Sequence, residues 1–131
     1  MAINYQVASK AVQLIKSNNR VFVQGSAATP LHLINAMLLR KRELKNVELV
    51  SITTLGGSVF DVPDFGNSFF INSLFVSENN RKIVNSKNGD YIPVFLSEIH
   101  LLFSKNILPI DVALIHVSPP DKHGFCSLGT S

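Results

Sequence analysis

Residues 21–52 read VFVQGSAATPLHLINAMLLRKRELKNVELVSI and contain two short apolar runs separated by a helical pattern. The runs at 21–23 and 47–52 are rich in β-branched residues, which is typical of buried strands. Between them, Thr29 is a good N-cap and Pro30 a good first helical residue. A strand, a helix and a strand at this spacing predict a right-handed crossover and therefore a parallel sheet.

The flanking sequence continues this alternation of helices and strands. We predict a helix that begins at 7 and ends near 18–19, a strand within 69–76, a helix over 77–85, a strand ending at 91–93, a helix from 97 to 103 and a buried strand over 112–117. These elements predict an α/β fold with three layers, α/β/α, around a mostly parallel sheet. No capping helix or final strand follows residue 117, so we expect the sheet to be incomplete at its C-terminal end. We therefore expect residues 1–131 to be a fragment of a longer protein.

The composition excludes several classes of protein. Of the 131 residues, 46% are apolar and 16% are charged, which favours one globular domain over a disordered or repetitive chain. The net charge is +3, but the basic run at 40–42 is not part of a long basic face interleaved with aromatic residues. We therefore expect no nucleic-acid partner.

Targeting and membrane signals are not recognisable in the sequence. Residues 1–16 carry polar residues every few positions, unlike the apolar core of a signal peptide, and no stretch is apolar over the length of a bilayer. The single cysteine, Cys126, excludes an internal disulfide framework and fits a reducing compartment. We expect a soluble cytoplasmic protein without a membrane partner.

The loop from Gly25 to Pro30 is the first candidate for a binding site. It joins a predicted strand to a predicted helix, and ligands of open α/β sheets bind at the carboxyl ends of strands, where the amides at the start of a helix suit an anion. The loop lacks the glycine pattern of a dinucleotide site and the lysine of a P-loop. An ordinary tight turn remains the alternative.

Four potential metal ligands lie close together near the end of the chain: His116, Asp121, His123 and Cys126. Their spacings match no common zinc pattern, so we expect no metal site. We expect His116 to be a core or cleft residue of its strand, and Cys126 to be a half-buried thiol rather than a nucleophile.

Three segments resemble the acetyl-CoA hydrolase/transferase family. They are NRKIVN at 80–85, GDYIPVFLSEI at 89–99, and DVALIHVSPPDKHGFCSLG at 111–129, which is the most specific of the three. The loop at 25–30 matches in position, and the resemblance extends over nearly the whole chain. Among the members of the family, the sequence is most similar to the 4-hydroxybutyrate and butyrate CoA-transferases.

This resemblance implies a fold of the CoA-transferase type, built from two tandem α/β domains with active sites between them. It also implies transfer of CoA between an acyl-CoA and a short carboxylate (acetate, butyrate or 4-hydroxybutyrate), or hydrolysis of the thioester. CoA is then a co-substrate, and no cofactor is permanently bound. The family's nucleophilic glutamate lies in the second domain, so we expect no catalytic residue in this chain, an active parent enzyme and an inactive fragment.

The resemblance also implies which residues face the cleft. We expect the first loop, residues 25–30, and a late turn, residues 118–124, to shape the pocket for the acyl group or the carboxylate. Arg81 is a further carboxylate contact or, alternatively, part of a solvated helix face. The expected substrate-binding residues are Gly25, Ser26, Ala27, Ala28, Thr29, Arg81, Pro119, Pro120, Asp121, His123 and Gly124. Because a cut domain exposes apolar surface, we expect a homo-oligomer. The alternative function is a non-catalytic α/β module that binds a sugar phosphate or an effector.

Overall fold

Five parallel strands form the centre of the computed structural model, which describes residues 5–57 and 59–130. Every adjacent pair of these strands is parallel, and their order across the sheet is β4-β3-β2-β1-β5. The strands are β1 (Arg20–Val23), β2 (Val47–Ser51), β3 (Phe69–Ser73), β4 (Gly89–Tyr91) and β5 (Val112–Leu114). The predicted parallel sheet is therefore confirmed.

In the described residues, four α-helices connect and cover these strands. They are α1 (Ala8–Ala11), α2 (Leu31–Leu38), α3 (Glu78–Val84) and α4 (Ile99–Ser104), with 3-10 turns at Val12–Leu14, Phe65–Asn67 and Leu96–Glu98. Within the described ranges, no helix is both long enough and apolar enough to cross a membrane.

Two separate hydrophobic cores show that helices lie on both faces of the sheet. On one face, Ile34 of α2 and Ile83 of α3 pack in the same cluster as Val21 and Val23 of β1. On the other face, Ile99 of α4 packs in a cluster that contains alternate residues of the same strands, among them Phe22 and Val50. The alternation of side chains along each strand produces these two faces. The predicted three-layer α/β/α arrangement is confirmed.

The last strand differs from its prediction. The interpretation of residues 112–117 as a fully buried strand is wrong, because β5 ends at Leu114 and has one described neighbour, β1. Leu114 is buried, Ala113 is exposed, and His116 lies beyond the strand with its side chain exposed, not in the core. Among the described residues, β5 is covered only on the face that Leu114 enters.

Two helix boundaries also differ. Helix α2 begins at Leu31, with Pro30 as the N-cap, so Thr29 is not the capping residue and Pro30 is not the first helical residue. The first helix is a single turn of α-helix that continues as a 3-10 turn and ends at Leu14, before the predicted stop. The hydroxyl of Thr29 instead bonds to Ser26 O and to the backbone N of Leu55.

Candidate functional site

The strand order changes direction between β1 and β5. From β1 the chain moves outward through β2, β3 and β4, and it then returns to place β5 on the opposite side of β1. In open α/β sheets, ligands bind in the crevice outside the carboxyl ends of the strands at such a reversal. The loops that leave β1 and β5 border this crevice, and they are the two segments singled out in the sequence.

The first of these loops, residues 25–30, is hydrogen-bonded to the segment that follows β2. Ser26 donates a backbone hydrogen bond to Thr53 O (3.0 Å), and its hydroxyl lies 2.9 Å from Thr53 Oγ1. Thr29 Oγ1 donates to Ser26 O (2.7 Å) and accepts from the backbone N of Leu55 (3.0 Å). The Thr29 hydroxyl therefore joins two loops, while Ser26 and Ala27 remain exposed at the crevice.

The second loop is the late turn, which closes over residues 118–127 and is organised by Asp121. Ser118 N donates to Ser127 O at its base (2.9 Å), and Asp121 Oδ1 accepts from the backbone N of His123 (2.8 Å) and of Phe125 (3.0 Å). Gly124 adopts a φ of 86°, which favours glycine. Asp121 was expected at the pocket, but one of its carboxylate oxygens accepts hydrogen bonds within the turn.

Two cavities lie where these loops approach each other, and Ala27, His116 and Val117 line both. The first, of about 500 Å³, is lined by Ala27, Thr29, Pro30, Leu31, His32, Leu33, Ile115, His116 and Val117. The second, of about 360 Å³, is lined by Ala27, Ala28, His116, Val117, Ser118, Pro119, Ser127, Leu128, Gly129 and Thr130.

The structure brings together only part of the predicted set. Ala27, Ala28 and Pro119 line the smaller cavity, and Thr29 lines the larger one. Gly25 and Ser26 belong to the same loop, and Pro120, Asp121, His123 and Gly124 belong to the late turn, but none of these six lines either cavity. Arg81 is exposed on α3, which follows β3, and it also lines neither cavity.

The cavity walls also contain His32, which the sequence did not single out, and His116, which was expected to be a core or cleft residue and lies in the cleft. His32 is the second residue of α2, and His116 follows the end of β5, so each lies at the carboxyl edge of the sheet. Their imidazoles can donate or accept hydrogen bonds at the cavity wall. Neither cavity has a carboxylate among its lining residues. The described wall can therefore bind and orient a ligand, but it offers no carboxylate nucleophile.

The potential metal ligands do not form a metal site in the part of the chain that the structure describes. No group of three or more His, Cys, Asp or Glu side chains is placed there to hold an ion. Cys126 is a free thiol and is exposed, not half-buried as expected.

Comparison with known proteins places this geometry in a family. Residues 4–131 match the acetyl-CoA hydrolase/transferase N-terminal domain. The chain is 44% identical over 119 residues to a succinyl-CoA:acetate/propanoyl-CoA:succinate CoA transferase of Fasciola hepatica, covering 89% of this chain and 24% of the relative. It is 39% identical over 124 residues to a 4-hydroxybutyrate coenzyme A transferase of Clostridium kluyveri, covering 95% and 29%.

A solved structure supports the same relationship. RipA from Yersinia pestis superposes with a TM-score of 0.85 at 25% identity, covering 96% of this chain and 32% of that chain. The chain thus spans 24–32% of the length of these three proteins. The match confirms the resemblance found in the sequence. The chain belongs to the acetyl-CoA hydrolase/transferase family, of which it carries N-terminal domain sequence.

Proposed function

We propose that this chain is the front part of the first domain of an enzyme that moves CoA between an acyl-CoA and a short carboxylate, or hydrolyses the thioester. One observation carries the proposal. The first loop and the late turn, which both resemble the family, meet across cavities at the carboxyl ends of β1 and β5. These cavities lie at the reversal of strand order, where α/β sheets bind ligands.

The proposed reaction uses a carboxylate nucleophile on polypeptide outside residues 1–131. A glutamate oxygen attacks the thioester carbonyl, the CoA thiolate leaves, and an acyl-glutamyl anhydride forms. The thiolate then attacks the glutamyl carbonyl, which releases the first acid as its carboxylate and leaves a glutamyl-CoA thioester. The acceptor carboxylate repeats these steps in reverse order, so that CoA leaves on the new acid. Such covalent catalysis replaces one difficult step by easier ones.

In this proposal the described residues bind and orient, and none of them is the nucleophile. The first loop is rigid, because its backbone and its hydroxyl groups are bonded to Thr53 and Leu55. The late turn is held by its own hydrogen bonds. Two rigid walls keep the acyl group in place while the nucleophile approaches from the opposite side.

The proposed substrates are short acids and their CoA thioesters, with CoA as co-substrate and no resident cofactor. The smaller cavity, at about 360 Å³, lies near the lower end of the range for small-molecule pockets. Acetate, butyrate and 4-hydroxybutyrate remain the proposed acids. The two curated relatives described above are named for reactions of short acids of this class.

Assays of the full-length parent protein test this proposal. CoA transfer is measured between acetyl-, butyryl-, 4-hydroxybutyryl- or succinyl-CoA and each free acid, and a CoA adduct is sought by mass spectrometry of peptides outside residues 1–131. We expect transfer or thioester hydrolysis with at least one pair, and an adduct on a glutamate.

A cavity-filling variant links the activity to this site. Ala27→Phe obstructs both cavities, so it should lower kcat/KM by at least about tenfold. The control Leu39→Phe adds bulk at an exposed position directly after α2 and should leave kcat/KM unchanged. A parent protein that binds sugar phosphates tightly, without transfer or hydrolysis of any thioester, would support the non-catalytic module instead.

We also propose that the protein forms a homo-oligomer and works in the cytoplasm. Several large apolar side chains are exposed, among them Phe95, Leu96 and Phe125, and such surface favours association. The exposed free thiol of Cys126 persists in a reducing compartment.

A further inference from the structure

His116 is the polar residue at which the two cavities of the carboxyl edge meet. Three residues line both cavities, and the other two, Ala27 and Val117, are apolar. The side chain of His116 is exposed, and within residues 5–57 and 59–130 its hydrogen bond is made by the backbone N and not by the imidazole. In either protonation state an imidazole carries at least one N–H donor. That donor is therefore available to a ligand at the junction of the cavities.

The backbone around His116 is held on both sides. The backbone N of His116 donates to Oε1 of Gln24 (2.5 Å), a residue that is only 5% exposed. The backbone N of Gln24 donates to Leu114 O (3.1 Å), and Ser118 N donates to Ser127 O (2.9 Å) at the base of the late turn. The imidazole thus projects from a fixed piece of backbone, as is required of a group that orients a substrate.

The wall of the larger cavity divides into an apolar part and two histidines. Its other polar residue, Thr29, donates its hydroxyl proton to Ser26 O (2.7 Å). His32 lines the larger cavity alone, whereas His116 lies where it meets the smaller one. Neither cavity is lined by a carboxylate, so no like charge repels an anion at the junction. The apolar residues of the wall suit a hydrocarbon chain; they are Ala27, Pro30, Leu31, Leu33, Ile115 and Val117.

We propose that His116 binds the carboxylate of the free acid: an imidazole N–H donates to one carboxylate oxygen at the junction, and the apolar part of the acid lies in the larger cavity. This inference rests on the proposed function, in which the free acid is the nucleophile of the second half of the reaction. One oxygen stays bonded to His116. The other attacks the carbonyl of the glutamyl-CoA thioester, and the CoA thiolate leaves.

The two substrates should depend on His116 to different degrees. A short acid is recognised through its carboxylate and a few carbon atoms, so the loss of one charge-assisted hydrogen bond removes a large part of its binding free energy. An acyl-CoA has a thioester in place of the carboxylate and is also bound through its CoA portion. Loss of the imidazole should therefore raise KM for the free acid and leave KM for the acyl-CoA nearly unchanged.

Substitutions at three histidines of the full-length enzyme test this assignment. His116→Leu removes the donor. His116→Asn and His116→Gln place an amide nitrogen near the positions of Nδ1 and Nε2, respectively. His32→Leu makes the same change in the larger cavity alone, and His100→Leu makes it at an exposed position of α4 that lines neither cavity. KM is measured separately for butyrate and for acetyl-CoA, or for the most active pair of the panel above, and a thermal melt shows whether each variant folds.

We expect His116→Leu to raise KM for the free acid by about tenfold or more, the value of one hydrogen bond to a charged group. Its KM for the acyl-CoA should stay within about threefold of the wild type, and at least one of the two amide variants should restore KM for the acid. His32→Leu should have a smaller effect than His116→Leu, and His100→Leu should have none. If His116→Leu does not fold, His116→Ala takes its place.

Three results overturn the inference while leaving the proposed function intact. The first is an unchanged KM for the acid in His116→Leu. The second is an equal rise of both KM values, or a failure of both amide variants to restore KM, which would make His116 a structural residue. The third is a larger effect of His32→Leu, which would move the carboxylate away from the junction. A parent protein that neither transfers CoA nor hydrolyses thioesters removes the proposed function, and the inference with it.

Discussion

The backbone of Thr53 occupies the space into which a side chain on Gly25 would extend. A Cβ built on Gly25 would come within 3.0 Å of Thr53 O, a distance that real Cβ atoms essentially never show. The close approach lets Ser26 bond to Thr53 through both its backbone and its hydroxyl. The first loop was expected to face a ligand, but the immediate reason for a glycine at position 25 is its contact with the backbone that follows β2.

Gly25→Ala should therefore destabilise the protein by about 1–3 kcal/mol, the usual cost of overpacking, because the obstructing atoms belong to backbone that cannot rotate away. The free energy of unfolding is measured by urea denaturation. Ala27→Ser, which also adds one heavy atom, lies exposed in the same loop and should change stability by less than about 0.5 kcal/mol. A Gly25→Ala protein as stable as the wild type would contradict the close approach.

The late turn should depend on one oxygen of Asp121. Asp121→Ala removes the acceptor of the His123 and Phe125 amides, so hydrogen exchange at those two amides should accelerate while the core strands stay protected. Asp121→Asn retains an oxygen in the same place and should restore slow exchange. If the asparagine variant exchanges as fast as the alanine variant, the carboxylate charge, and not the turn geometry, holds the loop.

The parts of the fold that could be predicted are those encoded by neighbouring residues. The alternation of apolar runs with a helical pattern over 21–52 is local, and it was enough to predict the parallel crossover. The run at 112–117 is equally apolar, yet its burial depends on whether a second strand lies beside it. The order of strands in the sheet decides this, and a short run of residues does not encode that order. In the structure, β5 has one described neighbour, β1.

The candidate site shows the same limit. The resemblance picked out the two loops that the structure places at one edge of the sheet. Gln24 and His116 are joined across 92 positions of sequence, and neither has a local pattern that indicates this pairing. The hydroxyl of Thr29 accepts a hydrogen bond from the backbone N of Leu55, 26 positions away. It is therefore not free to cap α2, although threonine is a good N-cap residue.

Two ion pairs should differ strongly in their contribution to stability. Arg20 Nε lies 2.7 Å from Glu48 Oε2, with side chains that are 26% and 24% exposed, and Asn72 Nδ2 donates to the other Glu48 oxygen. Lys82 Nζ lies 2.6 Å from Asp61 Oδ2, but these side chains are 79% and 53% exposed. Glu48→Ala leaves two half-buried donors unpaired and should cost about 1–3 kcal/mol.

Asp61→Ala should cost less than about 1 kcal/mol, because solvent and salt screen an exposed pair. Urea denaturation at low and high NaCl concentrations measures both variants, and any effect of Asp61→Ala should shrink with salt. Glu48→Gln, which keeps an oxygen for Asn72, should fall between the alanine variant and the wild type. Equal losses for Glu48→Ala and Asp61→Ala would contradict the role assigned to burial.

Self-association of the 131-residue chain should depend on the apolar pair that precedes α4. Phe95 and Leu96 are adjacent and 75% and 74% exposed, and burying large apolar side chains between copies is the main driving force for association. We expect sedimentation velocity to show species larger than a monomer, and the double variant Phe95→Ser, Leu96→Ser to shift the distribution toward monomer. Lys105→Ser, a polar change directly after α4, is the control and should leave the distribution unchanged. A wild-type chain that sediments as a monomer at high concentration would contradict the proposed homo-oligomer, since this surface would then be tolerated in contact with water.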